Sequence, residues 1–173
     1  MHATNIDDMN DEQIVRLLCR GDCYPTAIVL HEELGWPIGG FLVDWQHRRW
    51  LPHLVHAYLI APDGRAFDAS GFRTLEQIEA FYLTPEKLKE CRKPRFVEYG
   101  GIEAFRRALR PLEMGASDDV NHRYYDPDFD ADQRTRYDDE LDDMLASVRY
   151  AAIGRLDLGK KARLEFQDYA AAI

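Results

Sequence analysis

The chain has 173 residues, 46% of them hydrophobic and 31% charged, with a formal net charge of −9. That balance suits one folded domain with an elaboration and a core of ordinary size. It speaks against two classes of function: no stretch approaches the roughly 18 apolar residues of a membrane span, and an acidic chain without clustered Lys and Arg is poorly suited to following a nucleic-acid backbone.

From Met1 to Gln13 the chain is acidic and polar, with neither the basic nor the apolar segment of a secretory signal. A cytoplasmic product is therefore expected, and signal-independent export is compatible with the same residues. Asn10 predicts an N-cap for a helix over 11–19, with Ile14, Val15, Leu17 and Leu18 as its apolar stripe and Gly21 as its stop. A second helix follows at once. Pro25 suits its first turn, Ala27, Ile28, Leu30 and Leu34 form its inner face, and Gly35 closes it with Pro37 just beyond.

The period then changes from helical to extended. Phe41 to Trp45 reads as a strand and Gln46 to Pro52 as a polar loop carrying Arg48, Arg49 and Trp50. Trp45 and Trp50 are expected either to pack in the core or to line an acyl-binding cleft. Leu54 to Ile60 is the clearest strand, and Pro62-Asp63-Gly64 turns the chain so that Arg65 to Ala69 returns beside it. Thr74 and Gln77 predict a capping box for a helix through Phe81 or Tyr82. Phe96 to Tyr99 reads as a further strand, and Ile102 to Leu109 as a helix stopped at Pro111.

After Ser117 the composition shifts. Between Asp118 and Asp143 stand eleven acidic residues against three Arg, a local balance of −8 that leaves the remainder near neutral. Asp130 to Gly154 predicts one long helix with an apolar stripe through Leu141, Leu145, Val148 and Ala152, and Lys160 to Ala171 a last one. The expected division is a catalytic core over 1–116 and an acidic helical extension over 117–173. The acidic run reads as a solvated face or as a docking surface for a basic partner.

Three residues carry candidate chemistry. Cys23 follows Gly21-Asp22 at the entrance of the second helix, where N–H groups and the helix dipole stabilise a thiolate and can hold a developing oxyanion. Asp22 opposes the thiolate if its carboxylate is close, or caps the helix. Alternation places His56, Tyr58 and Ile60 on one strand face, with Val55, Ala57 and Leu59 on the other. Across the turn, Asp68 returns toward the level of His56, and a histidine partner explains an Asp between Phe67 and Ala69 in a strand. Cys23 would attack a carbonyl, His56 would take the thiol proton, and Asp68 would fix the imidazole. No cofactor is required. Cys19, Cys23 and Cys91 are too few and odd in number for a disulfide framework, so reduced thiols are expected.

The run from Gly21 to Trp36, followed by the run from His56 to Gly71, resembles the papain-like and transglutaminase-like superfamily of cysteine enzymes. His56-Ala57-Tyr58 is similar to the His-Ala-Trp that opens the histidine strand of transglutaminase-like proteins. Phe67 to Gly71 is similar to the aspartate segment of arylamine acetyltransferases. The resemblance covers residues 14 to 72. It implies an α+β fold, a helix-start Cys packed on a small antiparallel sheet with C-terminal helices added. It also implies a Cys23–His56–Asp68 triad working through a thioester, as a peptide or amide hydrolase, a deamidase or a transferase. No Trp follows Cys23, and no Gln stands at the papain-like oxyanion spacing, so the second oxyanion donor is unassigned.

Competing readings use the same residues. His47, His53, His56 and Cys23 lack a metal-ligand spacing. Asp126 to Asp132 resembles a calcium loop, but Ala131 and Tyr137 stand where glycine and glutamate are required, so a turn and helix cap explain it better. His31 reads as a packing or surface residue. The rival function is an inactive binding or inhibitory protein of the same fold that engages a partner through its acidic helix.

Overall fold

The computed structural model describes residues 6–44, 53–91, 94–114 and 141–171, without the side chains of residues 88, 90, 109–114 and 170. After a short 3-10 turn over Ile6–Asp8, helix α1 spans Asp11–Arg20. It starts where the capping rule requires: Asn10 accepts from the Gln13 amide at 2.9 Å, and the Gln13 side chain accepts from the Asn10 amide at 2.8 Å. Helix α2, Cys23–Leu34, buries every residue from Pro25 to Leu30. The expected inner stripe is thus a minimum, and α2 is the central helix of the molecule. Gly35 ends it at φ 71°, a left-handed conformation that costs glycine little.

Among the described residues, five strands form one antiparallel sheet in the order β4-β3-β2-β1-β5. They are β1 (Ile38–Val43), β2 (His53–Ile60), β3 (Ala66–Asp68), β4 (Gly71–Arg73) and β5 (Arg95–Tyr99). Strand β1 begins earlier than Phe41, because Gly39 and Gly40 belong to it despite their weak strand preference. Their missing side chains are what the sheet needs. A Cβ on Gly39 would lie 2.4 Å from the ring of Tyr58, its cross-strand partner, and one on Gly40 would lie 2.8 Å from the ring of Tyr99.

Strand β2 does not alternate as its sequence predicts. Phe41 pairs with His56, but Leu42 pairs with Leu54, so Val55 is an extra residue. This bulge moves Val55 away from Ala57 and Leu59. It packs instead with the cluster that holds Tyr58. The other sheet face carries Leu54, Ala57, Leu59 and Phe67 against α1 and α2.

Helix α3, Leu75–Tyr82, follows its Thr74–Gln77 capping box and covers the Tyr58 face with Ile78. Helix α4 is Pro85–Glu90. Helix α5, Ile102–Met114, runs through Pro111 where the sequence predicted a stop; the helix gives up one backbone bond there and continues. Residues 141–149 form α6, which passes into a π-helical turn over Tyr150–Arg155, and α7 spans Leu158–Ala171. Sequence reading missed β4, α4 and the π turn, all too short to carry a period.

The expected boundary at residue 116, the acidic run before residue 141, and Trp45, His47, Arg48, Arg49 and Trp50 lie outside the described residues. Val148, Ala151, Ala152, Leu156, Leu158 and Ala162 join the same core cluster as Ile14, Ile28 and Leu59. Arg155 reinforces this by donating to the carbonyls of Ile6 and Met9 at 2.8 and 3.1 Å. No described helix is long and apolar enough to cross a membrane.

The close contact at Gly39 makes a prediction. Tyr58 is 2% exposed and has no room to swing away. Gly39→Ala should therefore destabilise the fold by about 1–3 kcal/mol. In a Tyr58→Leu background the same substitution should cost clearly less, read by thermal or urea unfolding of all four proteins.

Candidate functional site

His56 is 0% exposed and Asp68 4% exposed, so both sit where an unpaired charge would be costly. Their meeting follows from register. Leu59 pairs with Phe67 and Ile60 with Ala66. One step further along the same ladder places Asp68 across from Tyr58, and His56 is the next residue on that face. The diagonal is short enough for two side chains to close: His56 Nε2 lies 2.8 Å from Asp68 Oδ2. This juxtaposition is the one the hairpin spacing predicts.

Asp68 is held on its other oxygen as well. The Ser70 amide donates to Oδ1 at 2.7 Å, and the Ser70 hydroxyl donates to the same atom. Arg73 in turn donates to the Ser70 hydroxyl oxygen. Burial alone pushes the Asp68 carboxyl up. The hydrogen bond and charge of His56, the Ser70 bond and the positive Arg73 outweigh that and hold it below the ordinary carboxylate range. Asp68 is thus an ionised, fully engaged acceptor, and Nε2 of His56 is the donor.

The other imidazole nitrogen faces a residue that sequence reading did not select. Tyr82, the last residue of α3, places its hydroxyl 3.0 Å from His56 Nδ1 and 3.0 Å from the carbonyl oxygen of Cys19. Its ring stacks on the imidazole with centroids 4.6 Å apart. A tyrosine at the end of an amphipathic helix looks like core in a sequence, and no spacing signals that it turns its oxygen toward a histidine far along the chain. The same hydroxyl ties Nδ1 to the α1–α2 junction, because Cys19 is the penultimate residue of α1 and Cys23 the first of α2.

Cys23 is half-buried at that junction. Asp22 precedes the helix but makes no side-chain cap bond. Its own carboxyl is pushed up by burial. The Thr26 amide is committed to the Asp22 carbonyl at 2.9 Å, and Pro25 has no N–H, so the first-turn amides left to consider as oxyanion donors are those of Cys23 and Tyr24. Burial, then Cys19, Asp68 and Cys23, all discourage loss of the Tyr82 proton, holding that phenol well above its ordinary range.

Cys19 is a different kind of thiol. It is 6% exposed and packed in the core beside Ser70. Burial, with Asp68 adding to it, pushes its thiol up to about 12, so it stays protonated at neutral pH. Cys91 packs on the opposite cluster with α3. His31 spends Nδ1–H on the Trp36 carbonyl at 2.7 Å, a packing role as expected. His53 begins β2. Among the described residues no three or more His, Cys, Asp or Glu side chains gather as a metal site.

The Asp68 environment sets a pH signature. A carboxyl depressed on folding contributes stability above its unfolded value, near 3.9, and that contribution is lost as the pH falls through the lower folded value. Asp68→Asn should flatten this acid limb of the stability curve, while Asp68→Ala should cost on the order of 3 kcal/mol near neutral pH by stranding the buried His56. An acid limb identical in wild type and Asp68→Asn would remove the carboxylate from this role.

No family model, curated protein or solved structure matches the chain. The functional reading therefore rests on the site itself.

Proposed function

We propose that this protein is a cysteine-dependent acyl-transfer enzyme. Cys23 is the nucleophile, His56 the base and Asp68 the residue that fixes the imidazole. The observation that carries the reading is the buried His56–Asp68 bond of 2.8 Å, with the opposite imidazole nitrogen 3.0 Å from the Tyr82 hydroxyl, which also meets the carbonyl of Cys19 shortly before the helix that Cys23 begins. A histidine held this way has one defined tautomer and one nitrogen left to exchange a proton.

The chemistry divides into two steps. The Cys23 sulfur, having released its proton toward His56, adds to a carbonyl carbon, and the tetrahedral oxygen is met by amide dipoles of the first turn of α2. Collapse expels an amine or alcohol, which takes the proton from the imidazolium, and leaves a thioester on Cys23. Water or a second nucleophile then gives up its proton to His56 and displaces the Cys23 sulfur from the acyl carbon, and the imidazolium proton returns to that sulfur. Water makes the protein a hydrolase of peptide or amide bonds or a deamidase, and an amine acceptor makes it a transglutaminase-like transferase.

One observation favours a second reading. His56 is fully buried and its Nδ1 is already met by the Tyr82 hydroxyl, as in a plugged site on an inactive binding protein. The two readings separate on Cys23.

Incubation with p-nitrophenyl acetate, a generic acyl donor, should place one acetyl group on Cys23, with a burst of nitrophenol. The adduct should be absent in Cys23→Ala and strongly reduced in His56→Asn, both folded by circular dichroism. Iodoacetamide should label Cys23 at least about tenfold faster than Cys19 or Cys91 near neutral pH. Acetylation or labelling that ignores His56 would favour the inactive reading.

A further inference from the structure

Hydrogen-bond arithmetic around Tyr82 does not close with fixed protons. The phenol has one O–H, and two acceptors stand 3.0 Å away, the Nδ1 of His56 and the carbonyl of Cys19. If the proton points to Nδ1, the imidazole is neutral, since its Nε2–H is spent on Asp68. If the proton points to the Cys19 carbonyl, the phenol oxygen is free to accept, and the only satisfied arrangement has Nδ1 protonated as well. The first arrangement is the histidine before it receives a proton; the second is the histidine after.

We propose that Tyr82 is the proton carrier between Cys23 and His56, its hydroxyl turning from Nδ1 to the Cys19 carbonyl as the imidazole becomes charged. This rests on the assignment of Cys23 and His56 as nucleophile and base. The step balances. The Cys23 S–H bond breaks and its proton forms a new O–H on Tyr82, while the former Tyr82 O–H proton forms N–H at Nδ1. The sulfur becomes negative, the imidazole positive, and the phenol is neutral at start and end. The new O–H then turns to the Cys19 carbonyl, and the phenol oxygen accepts from Nδ1–H.

Three features suit Tyr82 to this part. Its ring stacks on the imidazole, which keeps its oxygen beside Nδ1. The resistance of the buried phenol to ionisation means that a tyrosinate need not accumulate. The carbonyl that receives the turned hydroxyl belongs to Cys19, four residues before the nucleophile, so carrier and nucleophile share one junction. The hydroxyl touches His56 from β2 and feels the charge of Cys19 from α1, Cys23 from α2, Asp68 from β3 and Arg73 from β4.

The test measures the rate of Cys23 alkylation by iodoacetamide against pH in wild type, His56→Asn and Tyr82→Phe, with thermal unfolding of each. A carrier predicts that Tyr82→Phe slows alkylation near neutral pH by at least about tenfold, as His56→Asn does. Should the phenylalanine variant not fold, a ring-fluorinated tyrosine at position 82 serves. That side chain keeps both hydrogen bonds but binds Nδ1 more strongly as donor and more weakly as acceptor. The alkylation profile should move to higher pH with unfolding unchanged. Slow His56→Asn with Tyr82→Phe as fast as wild type, or faster, would overturn the carrier while leaving the Cys23–His56 assignment standing. Indifference to both substitutions would overturn the two together.

Discussion

A buried imidazole and a buried carboxylate stand side by side on the middle of a five-stranded sheet, and much of the surrounding structure answers to that pair. Neither group tolerates an apolar environment alone. Asp68 is supplied with the His56 N–H, the Ser70 amide and hydroxyl, and Arg73 behind them. His56 is supplied with Asp68 on one nitrogen and Tyr82 on the other. Five segments contribute: β2, β3, the turn to β4, β4 and the end of α3. A site assembled from so many segments exists only when β2, β3, β4 and α3 are all in place.

The bulge at Val55 and the glycines of β1 are part of the same arrangement. The regular β1–β2 register runs from Ile38–Leu59 to Phe41–His56, and the extra residue shifts it just beyond His56, where Leu42 meets Leu54 and not Val55. Gly39 lets the Tyr58 ring lie flat across β1, beside the position that Asp68 faces. The α2 helix, buried from Pro25 to Leu30, starts with Cys23 just after α1, whose Cys19 carbonyl meets the Tyr82 hydroxyl. Two thiols four residues apart thereby acquire opposite characters, one sealed in the core and one half-buried at a helix mouth.

Much of this was legible from the residues. Asn10, Gly35 and Thr74 mark their helix ends because capping is local chemistry. The Pro62-Asp63-Gly64 turn fixes the hairpin length, and with it the approach of Asp68 to His56. What escaped was non-local. Val55 changes face because of a bulge set by the neighbouring strand, Pro111 continues a helix that its backbone chemistry disfavours, and Tyr82 acquires its role only when α3 folds across the sheet. No periodicity encodes any of these.

The proposed enzyme requires the sulfur of Cys23 and the Nδ1 of His56 to belong to one site, bridged by the Tyr82 hydroxyl. The reagent 1,3-dibromoacetone measures this directly, because its two electrophilic carbons join a sulfur and a nitrogen only when a three-carbon span connects them. Each bond formed, S–C and then N–C, expels one bromide. Peptide mapping should recover a Cys23–His56 cross-link in the native protein, absent after denaturation. A native protein that stops at a single adduct on Cys23, with His56 unmodified, would contradict the account.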